Sequence, residues 1–188
     1  MDANTDRIGV VPVGAVHEMA PKVVAAHISG YLSLQAESLA PVQLPLHTFN
    51  GNRLQYDAGL LLREIESIPF DEHGKIIAIV DVDLFLPIFT HVFGEARQGG
   101  KAALVSLYRL GKHGSGLRFE SALVFERAAK IALHELGHLY DLLHCDNARC
   151  LMHFSGGLDE LDRTSFSYCR YCATCMRACL KTRGLKRK

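Results

Sequence analysis

The stretch HELGHLYDLLHCDNARCLM, residues 134–152, decides how the rest of the chain is interpreted. His134 and His138 are four residues apart, so a helix through this stretch places both imidazoles on one face, about one turn apart. Two imidazoles in this arrangement can reach one metal ion, and Glu135 can reach a water molecule beside it. The spacing therefore predicts a metal-binding helix. Taken alone, the five-residue pattern also fits ordinary polar residues on a helix surface.

A third imidazole, His144, follows six residues after His138. Zinc in hydrolases takes three protein ligands and leaves one position open for water, and HExxHxxxxxH is the metzincin spacing. The helix has to end between His138 and His144, which places Asp141 at a left-handed turn that Asp tolerates better than most residues. We predict a catalytic zinc at these three histidines, with Glu135 as the catalytic base. The alternative is that His144 only caps the helix.

Six cysteines lie in the last quarter of the chain, and four of them predict a second zinc site. Cys169 and Cys172 form a CxxC pair, which commonly supplies two thiolates to a structural zinc, and Cys145 and Cys150 form the other arm. Redox chemistry is the alternative for a lone CxxC, but no strand and helix flank this one as in thioredoxin-like sites. Cys175 and Cys179 are surplus, and three alternatives stay open for them: they could replace one ligand, hold another metal or be simple thiols. Replacement of one ligand by Cys175 is the main alternative.

The two predicted zinc sites meet at neighbouring residues, His144 and Cys145. Neighbouring side chains of an extended segment point to opposite sides. One segment can therefore offer an imidazole to the catalytic zinc and a thiolate to the structural zinc. The structural zinc would then hold in place the segment that delivers the third imidazole. We expect two zinc ions per chain.

Composition indicates an ordinary globular protein. The chain has 188 residues with 48% hydrophobic and 22% charged residues and a net charge of +1, which suits one domain with a real core. Residues 176–188 carry six Lys or Arg and no acidic residue. With the cysteines, this basic end suggests a zinc-ribbon nucleic-acid binder as a second alternative. Basic and aromatic residues do not alternate in the chain, so nucleic acid is not the partner that we predict.

Localisation signals are absent from the sequence as read. Residues 1–7 show no basic segment followed by an apolar one, so no signal peptide is predicted. Residues 76–93 are the most apolar stretch, but Asp81, Asp83 and His91 interrupt it, whereas a membrane helix needs about 20 apolar residues. We expect a cytoplasmic, monomeric protein with no membrane contact.

The remaining pattern predicts an α/β fold, because strands and helices alternate before a long helix and an irregular tail. The strands are predicted at residues 8–13, 42–49, 76–82 and 103–109, and the helices at residues 21–33, 56–68 and about 119–142. In the second helix, Leu60, Leu61 and Ile65 are expected to face inward. In the third helix, the expected inward residues are Leu123, Val124, Ile131 and Leu133, and the expected outward residues are Glu120, Glu126, Arg127 and Lys130. We divide the chain into a subdomain of residues 1–143 and a zinc-stapled one of residues 144–188, within one compact domain.

Other polar residues receive weaker interpretations. Asp81 and Asp83 are expected to close a strand. An oxyanion could be stabilised by any of four tyrosines, among which the sequence does not choose: Tyr108, Tyr140, Tyr168 and Tyr171. Seven further histidines are expected to be surface or hydrogen-bonded groups: His17, His27, His47, His73, His91, His113 and His153.

The chain closely resembles the archaemetzincins. Their signature is HExxHxxGxxHC, four residues, Cys, one residue, Met, and a CxxC some sixteen or seventeen residues later. The matching residues are His134, Glu135, His138, His144, Cys145, Cys150, Met152, Cys169 and Cys172. The signature glycine is replaced by Asp141. Upstream, the stretches DVDLF, FGEA and VSLYRL also resemble family sequence, so the resemblance extends beyond the signature.

The resemblance implies a zinc-dependent peptidase of metzincin-like fold, with a mixed, twisted N-terminal sheet, an active-site helix and a peptide or protein substrate. It implies that Met152 is the methionine of the Met-turn beneath the catalytic zinc. It also implies an edge strand that pairs with extended peptide, and residues 103–109 are expected to be that strand. The alternative is a catalytically silent or latent peptidase-like zinc protein that acts as a peptide-binding module.

Overall fold

The computed structural model describes residues 7–111 and 121–185, which form two small sheets and five α-helices. The strands are β1 (Ile8–Pro12), β2 (Ala36–Ser38), β3 (Phe49–Asn50), β4 (Gln55–Asp57), β5 (Lys75–Val80), β6 (Leu84–Leu86), β7 (Phe89–Val92), β8 (Gly94–Ala96) and β9 (Ala102–Ser106). The helices are α1 (Met19–Leu32), α2 (Ala58–Ser67), α3 (Ser121–Leu139), α4 (Leu158–Arg163) and α5 (Arg170–Leu185). This mixed α/β architecture confirms the predicted fold class.

The main sheet has the strand order β2-β1-β5-β9-β8, in which only β8 is antiparallel to its neighbour. The central strand β5, KIIAIV, is buried along its whole length, as expected for a strand with helices on both faces. One face of the sheet packs against α1 and α3, and the other packs against α2. The second sheet has the strand order β3-β4-β6-β7 and shares no strand with the main sheet.

The edge strand was placed wrongly by the sequence. Strand β9 covers most of the predicted strand 103–109, but it lies between β5 and β8 and is fully buried. The edge next to β9 is β8, whose three residues GEA are half-buried. The apolar run AALV suits an interior strand, and β8 is too short and too polar for the sequence pattern to reveal it.

The predicted strand 42–49 was also wrong. Only a single bridge joins Val42 to Val13, and a 3-10 turn, Leu46–Thr48, follows. Pro45 interrupts the segment and Pro41 directly precedes it, and proline cannot donate to a strand ladder. Phe49, the last residue of the predicted strand, lies in β3. The strand that pairs with β1 on its outer side is β2, whose sequence AES carries no apolar alternation.

Helix α2 begins at an N-cap, because the side chain of Asp57 accepts a hydrogen bond from Leu60 N at 2.9 Å. It buries Leu61, Leu62 and Ile65, whereas Leu60 is 38% exposed. The prediction that Leu60 faces inward was therefore wrong, because Leu60 lies on the side of the helix roughly opposite the buried residues. Leu61 and Ile65 are buried as predicted.

Helix α3 carries two buried charged side chains that were expected to face outward. Arg127 is 3% exposed and binds both carboxylate oxygens of Asp162, at 2.9 and 2.7 Å, and the Leu110 carbonyl at 2.7 Å. Lys130 is 4% exposed. Apart from Glu126, four residues before Lys130 on the same helix, their polar partners lie more than fifteen residues away, beyond the range of helix periodicity. Phe119 and Glu120, at the predicted start of this helix, fall outside the described residues.

The C-terminal segment packs into the same core as α1 and α3. Leu151, Met152, Leu161, Cys172 and Met176 are all buried in that cluster. The subdomain boundary at residue 143 stays a prediction. Among the described residues, no helix combines the length and the apolar character that crossing a bilayer requires.

Two leucines of α2 test which face of this helix is buried. Leu62→Ala should lower the free energy of unfolding by about 2–5 kcal/mol, because it leaves a cavity in the core. Leu60→Ala, on the exposed side, should cost about 1 kcal/mol or less. Denaturant titration measures both values, and equal losses for the two variants would contradict the observed orientation.

Candidate metal centres and the cleft between them

The turn that ends α3 is built around Asp141, which has a φ of 66°. Leu142 N donates to Gly137 O at 3.0 Å, and Asp141 N donates to His138 O at 3.0 Å. These two bonds form a Schellman motif, in which the residue after the helix takes the left-handed conformation. Asp141 therefore adopts the turn that was predicted for it, in the place where the family signature has glycine.

This turn brings the three predicted imidazoles together. His134 and His138 stand one turn apart on α3, and their Nε2 atoms are 3.1 Å apart. The Nε2 atoms of His138 and His144 are 3.2 Å apart, because the chain doubles back after Asp141. The predicted alternative, in which His144 only caps the helix, is wrong.

Two main-chain carbonyls fix which nitrogens of these rings carry hydrogen. His134 Nδ1 lies 2.8 Å from Leu151 O, and His138 Nδ1 lies 2.8 Å from Leu142 O. A carbonyl only accepts hydrogen bonds, so each Nδ1 is the donor and each Nε2 of a neutral ring carries a lone pair. Burial, and then the neighbouring His138, lowers the pKa of His134 to about 3, and burial also lowers the pKa of His138. Both rings are therefore neutral at pH 7.

Facing lone pairs repel unless a cation lies between them. Three nitrogen ligands about 2.0–2.1 Å from a tetrahedral zinc stand about 3.4 Å apart, close to the observed separations of 3.1 and 3.2 Å. The chemistry and spacing of the three imidazoles thus fit a zinc ion.

Glu135 lies beside the imidazoles with 7% of its surface exposed. Burial, and then the nearby Glu95, raises the pKa of Glu135 well above its usual range. The main chain of β8 presses against this carboxyl group, because a Cβ at Gly94 would stand 2.6 Å from Glu135 Oε1. Gly94 was not singled out from the sequence, although it belongs to the stretch FGEA.

The second predicted cluster also assembles. The thiols of Cys145, Cys150, Cys169 and Cys172 lie within 4.8 Å of one another, and the Sγ atoms of Cys145 and Cys169 are 3.8 Å apart. Four thiolates about 2.3 Å from a tetrahedral zinc stand about 3.8 Å apart. Cys169 N also donates to Cys150 Sγ at 3.2 Å. Cys175 and Cys179 do not belong to this group in the described part of the chain.

Short main-chain contacts join the two clusters. Cys145 N donates to Met152 O at 2.8 Å, and His153 Nδ1 lies 2.9 Å from Cys145 O. The side chain of Met152 is fully buried against α3 at Gly137, where an added Cβ would collide with its sulfur. The segment that carries His144 and Cys145 is therefore fixed at both the N–H and the carbonyl of Cys145 by the chain around Met152.

A cavity of about 590 Å³ opens beside the three imidazoles. Its walls come from the β6–β7 hairpin, β8, α3 and residues 143–164. The rings of Phe89 and Phe154 approach across it, with centroids 6.3 Å apart. No tyrosine occurs among the described residues that line it, and the hydroxyl of Tyr168 is bound to Leu133 O at 2.8 Å.

The aspartates and histidines outside the two clusters lie in different settings. Asp81 directly follows β5, as predicted for a residue that closes a strand, whereas Asp83 directly precedes β6 and forms a bidentate pair with Arg109, with both contacts at 2.6 Å. His91 and His153 line the cavity, although no sequence pattern distinguishes them from the other histidines expected at the surface. His113 lies outside the described residues.

The helix, the sheet edge and the turn together match one group of enzymes. A helix that carries HExxH beside the edge of a mixed sheet, with a third imidazole behind a turn, is the arrangement of zinc metallopeptidases. The sequence profile of peptidase family M54 matches residues 22–178, and the chain belongs to this family.

Relatives and solved structures agree with this family. Archaemetzincin of Methanocaldococcus jannaschii is 32% identical over 166 residues, which are 88% of this chain and 90% of that one. The crystal structure of archaemetzincin from Methanopyrus kandleri has a TM-score of 0.82 at 32% identity and covers 93% of this chain and 95% of its own. That of archaemetzincin from Archaeoglobus fulgidus, complexed with malonate, has a TM-score of 0.77 at 30% identity and covers 90% and 99%. The predicted family and enzyme class are confirmed.

Asp141 offers a test of the turn. Asp141→Gly should keep the turn and change the free energy of unfolding by no more than about 1 kcal/mol, because glycine accepts a positive φ freely. Asp141→Val should cost more than about 1 kcal/mol, since a β-branched residue is strained there. Denaturant titration compares them, and equal stability of the two variants would contradict the left-handed turn.

Proposed function

We propose that this zinc metallopeptidase hydrolyses peptide bonds at a zinc ion held by His134, His138 and His144, with Glu135 as the general base. The observation that carries the proposal is the pair of imidazole lone pairs that face each other at 3.1 Å. Membership of peptidase family M54 supports the reaction class. The three imidazoles open onto a cavity large enough for several peptide side chains.

When bound, zinc polarises the scissile carbonyl and lowers the pKa of a bound water. Glu135 accepts a proton from the attacking water and passes it to the departing amine. With 7% of its surface exposed, Glu135 is screened from bulk water between the two transfers. The main chain at Gly94 restricts where this carboxyl group can lie, and so helps to orient it.

Strand β8 is the proposed pairing partner of the substrate main chain. It forms the edge of the sheet, lines the cavity and touches Glu135. An exposed edge can take an extended peptide as an additional strand, with backbone hydrogen bonds for affinity. The proposed substrate is therefore an extended segment of a peptide or protein.

We further propose a structural zinc at Cys145, Cys150, Cys169 and Cys172, which makes two zinc ions per chain. Four thiolates close the coordination of zinc, so this ion stabilises the fold and takes no part in hydrolysis. The contact between Cys145 N and Met152 O connects this cluster to the Met-turn predicted at Met152. The cluster would hold His144 in position, as its neighbour in the chain.

Glu135 provides the test of the reaction. Glu135→Gln should lower kcat/KM for peptide cleavage by about 10²- to 10⁴-fold, the usual contribution of a general base, and should leave the zinc content unchanged. Glu72→Gln, which alters an exposed carboxylate, is the matched control and should keep full activity. A wild-type protein that binds zinc but cleaves no member of a peptide library would instead favour the silent peptide-binding module.

Metal analysis tests the two sites. Wild-type protein should contain two zinc ions per chain after zinc is supplied and the excess removed. His138→Ala should retain one zinc and the fold. Cys150→Ala should lose the other and unfold more easily, because structural zinc binding is coupled to folding. Cys179→Ala, outside the four-thiol group, should retain both, and one zinc in the wild type would contradict the proposal.

A further inference from the structure

The lining of the cavity includes a charged residue that the proposed reaction does not use. Lys130 lies on α3 one turn before His134 and lines the cavity together with Ile131, Leu161 and Thr164. One helical turn rises about 5.4 Å, so this recess begins next to the first imidazole. A substrate side chain that enters it belongs to a residue close to the cleaved bond.

The ammonium group of Lys130 is buried and only loosely bound. The residue is 4% exposed, and its Nζ lies 3.4 Å from Glu126 Oε1, 3.4 Å from Asp162 O and 3.5 Å from Leu161 O. Charge-assisted hydrogen bonds of an ammonium group are normally about 2.7–2.9 Å long. Every one of these contacts is therefore long, and a closer acceptor would be bound more strongly.

Other groups compete for two of the acceptors that Lys130 contacts, Leu161 O and Glu126, and for the neighbouring Asp162 carboxylate. Leu161 O accepts from Thr164 Oγ1 at 2.8 Å and from Thr164 N at 3.2 Å. The carboxylate of Asp162 is engaged by Arg127 at 2.9 and 2.7 Å. The Glu126 side chain is 48% exposed, so water competes for it. The ammonium group thus retains the capacity to donate to a ligand in the cavity.

An aromatic stack shields this ammonium group from bulk solvent. The ring of Phe166 lies under Lys130 Nζ, with its centroid 5.4 Å away. Phe166 itself stacks on His27, with centroids 4.9 Å apart, and on Tyr31, with centroids 5.0 Å apart. Charges interact more strongly where water is excluded, so a carboxylate that reaches Lys130 would be held more firmly than one at the surface.

We propose that Lys130 makes this recess a specificity site for an acidic substrate side chain next to the cleaved bond, with glutamate favoured. Ile131, Leu151 and Leu161 provide apolar walls of the cavity, and Lys130 lines the same cavity. A carboxylate on a short apolar stem matches both features. The inference rests on the proposed peptidase function and names a substrate class for it.

The competing interpretation is that Lys130 only limits the depth of the recess, so that selection depends on size. A Glu/Gln pair of substrates separates the two, because the side chains have nearly the same shape and differ in charge. Wild-type zinc-loaded enzyme is given peptides randomised on both sides of the cleaved bond, and then matched peptides with Glu, Gln or Leu at the selected position. The variants are Lys130→Met, which keeps the length without the charge, and Lys22→Met, the same change on the exposed surface of α1.

Wild type and Lys22→Met should cleave the Glu peptide at least about tenfold better than the Gln peptide in kcat/KM, as expected for one charge-assisted hydrogen bond. Lys130→Met should bring this ratio to about 1 while cleavage of the Leu peptide is retained. A wild-type ratio of about 1 would overturn the proposal, even if Lys130→Met failed to fold, and so would an unchanged ratio in Lys130→Met. Failure of the wild type to cleave any peptide would overturn the proposed function, and this proposal with it.

Discussion

The candidate catalytic centre depends on one constraint, the hydrogen bonds that two main-chain carbonyls accept from the Nδ1 atoms of His134 and His138. These bonds orient the rings and direct both Nε2 lone pairs to one point. The two carbonyls have different origins. That of Leu142 is placed by the left-handed turn at Asp141, and that of Leu151 lies in the loop that follows Cys150. A centre carried mostly by one helix is therefore oriented by the segment after it.

The same segment connects the two clusters. His144 faces the imidazoles and Cys145 faces the thiols, and the pairing of Cys145 N with Met152 O ties this segment to the buried methionine. The cysteines thus do more than stabilise a tail that packs on the core. In the proposed arrangement, the position of the third nitrogen ligand is set by a thiol cluster that takes no part in hydrolysis.

Local rules predicted much of this structure from the sequence, and long-range packing limited them. The spacing of His134, His138 and His144 anticipated the helix, its end and the turn, because each depends on a few adjacent residues. The outward placement of Arg127 and Lys130 was wrong, since their partners at Leu161 and Asp162 are more than thirty residues away. The edge strand was wrong for a similar reason. Strand β8 is identified by its neighbour β9, and its own three residues carry no pattern.

The pattern HExxH leaves two of its five positions unspecified, but packing in this fold restricts which residues can occupy both of them. Leu136 has no exposed surface, and Gly137 faces the Met152 sulfur so closely that not even a methyl group fits without displacing it. Across residues 134–138, the proposed chemistry thus requires the two histidines and the glutamate, and packing restricts Leu136 and Gly137. Few substitutions are therefore tolerated in this stretch. A homologue with a larger residue at the position of Gly137 must carry a compensating change in the loop that holds Met152.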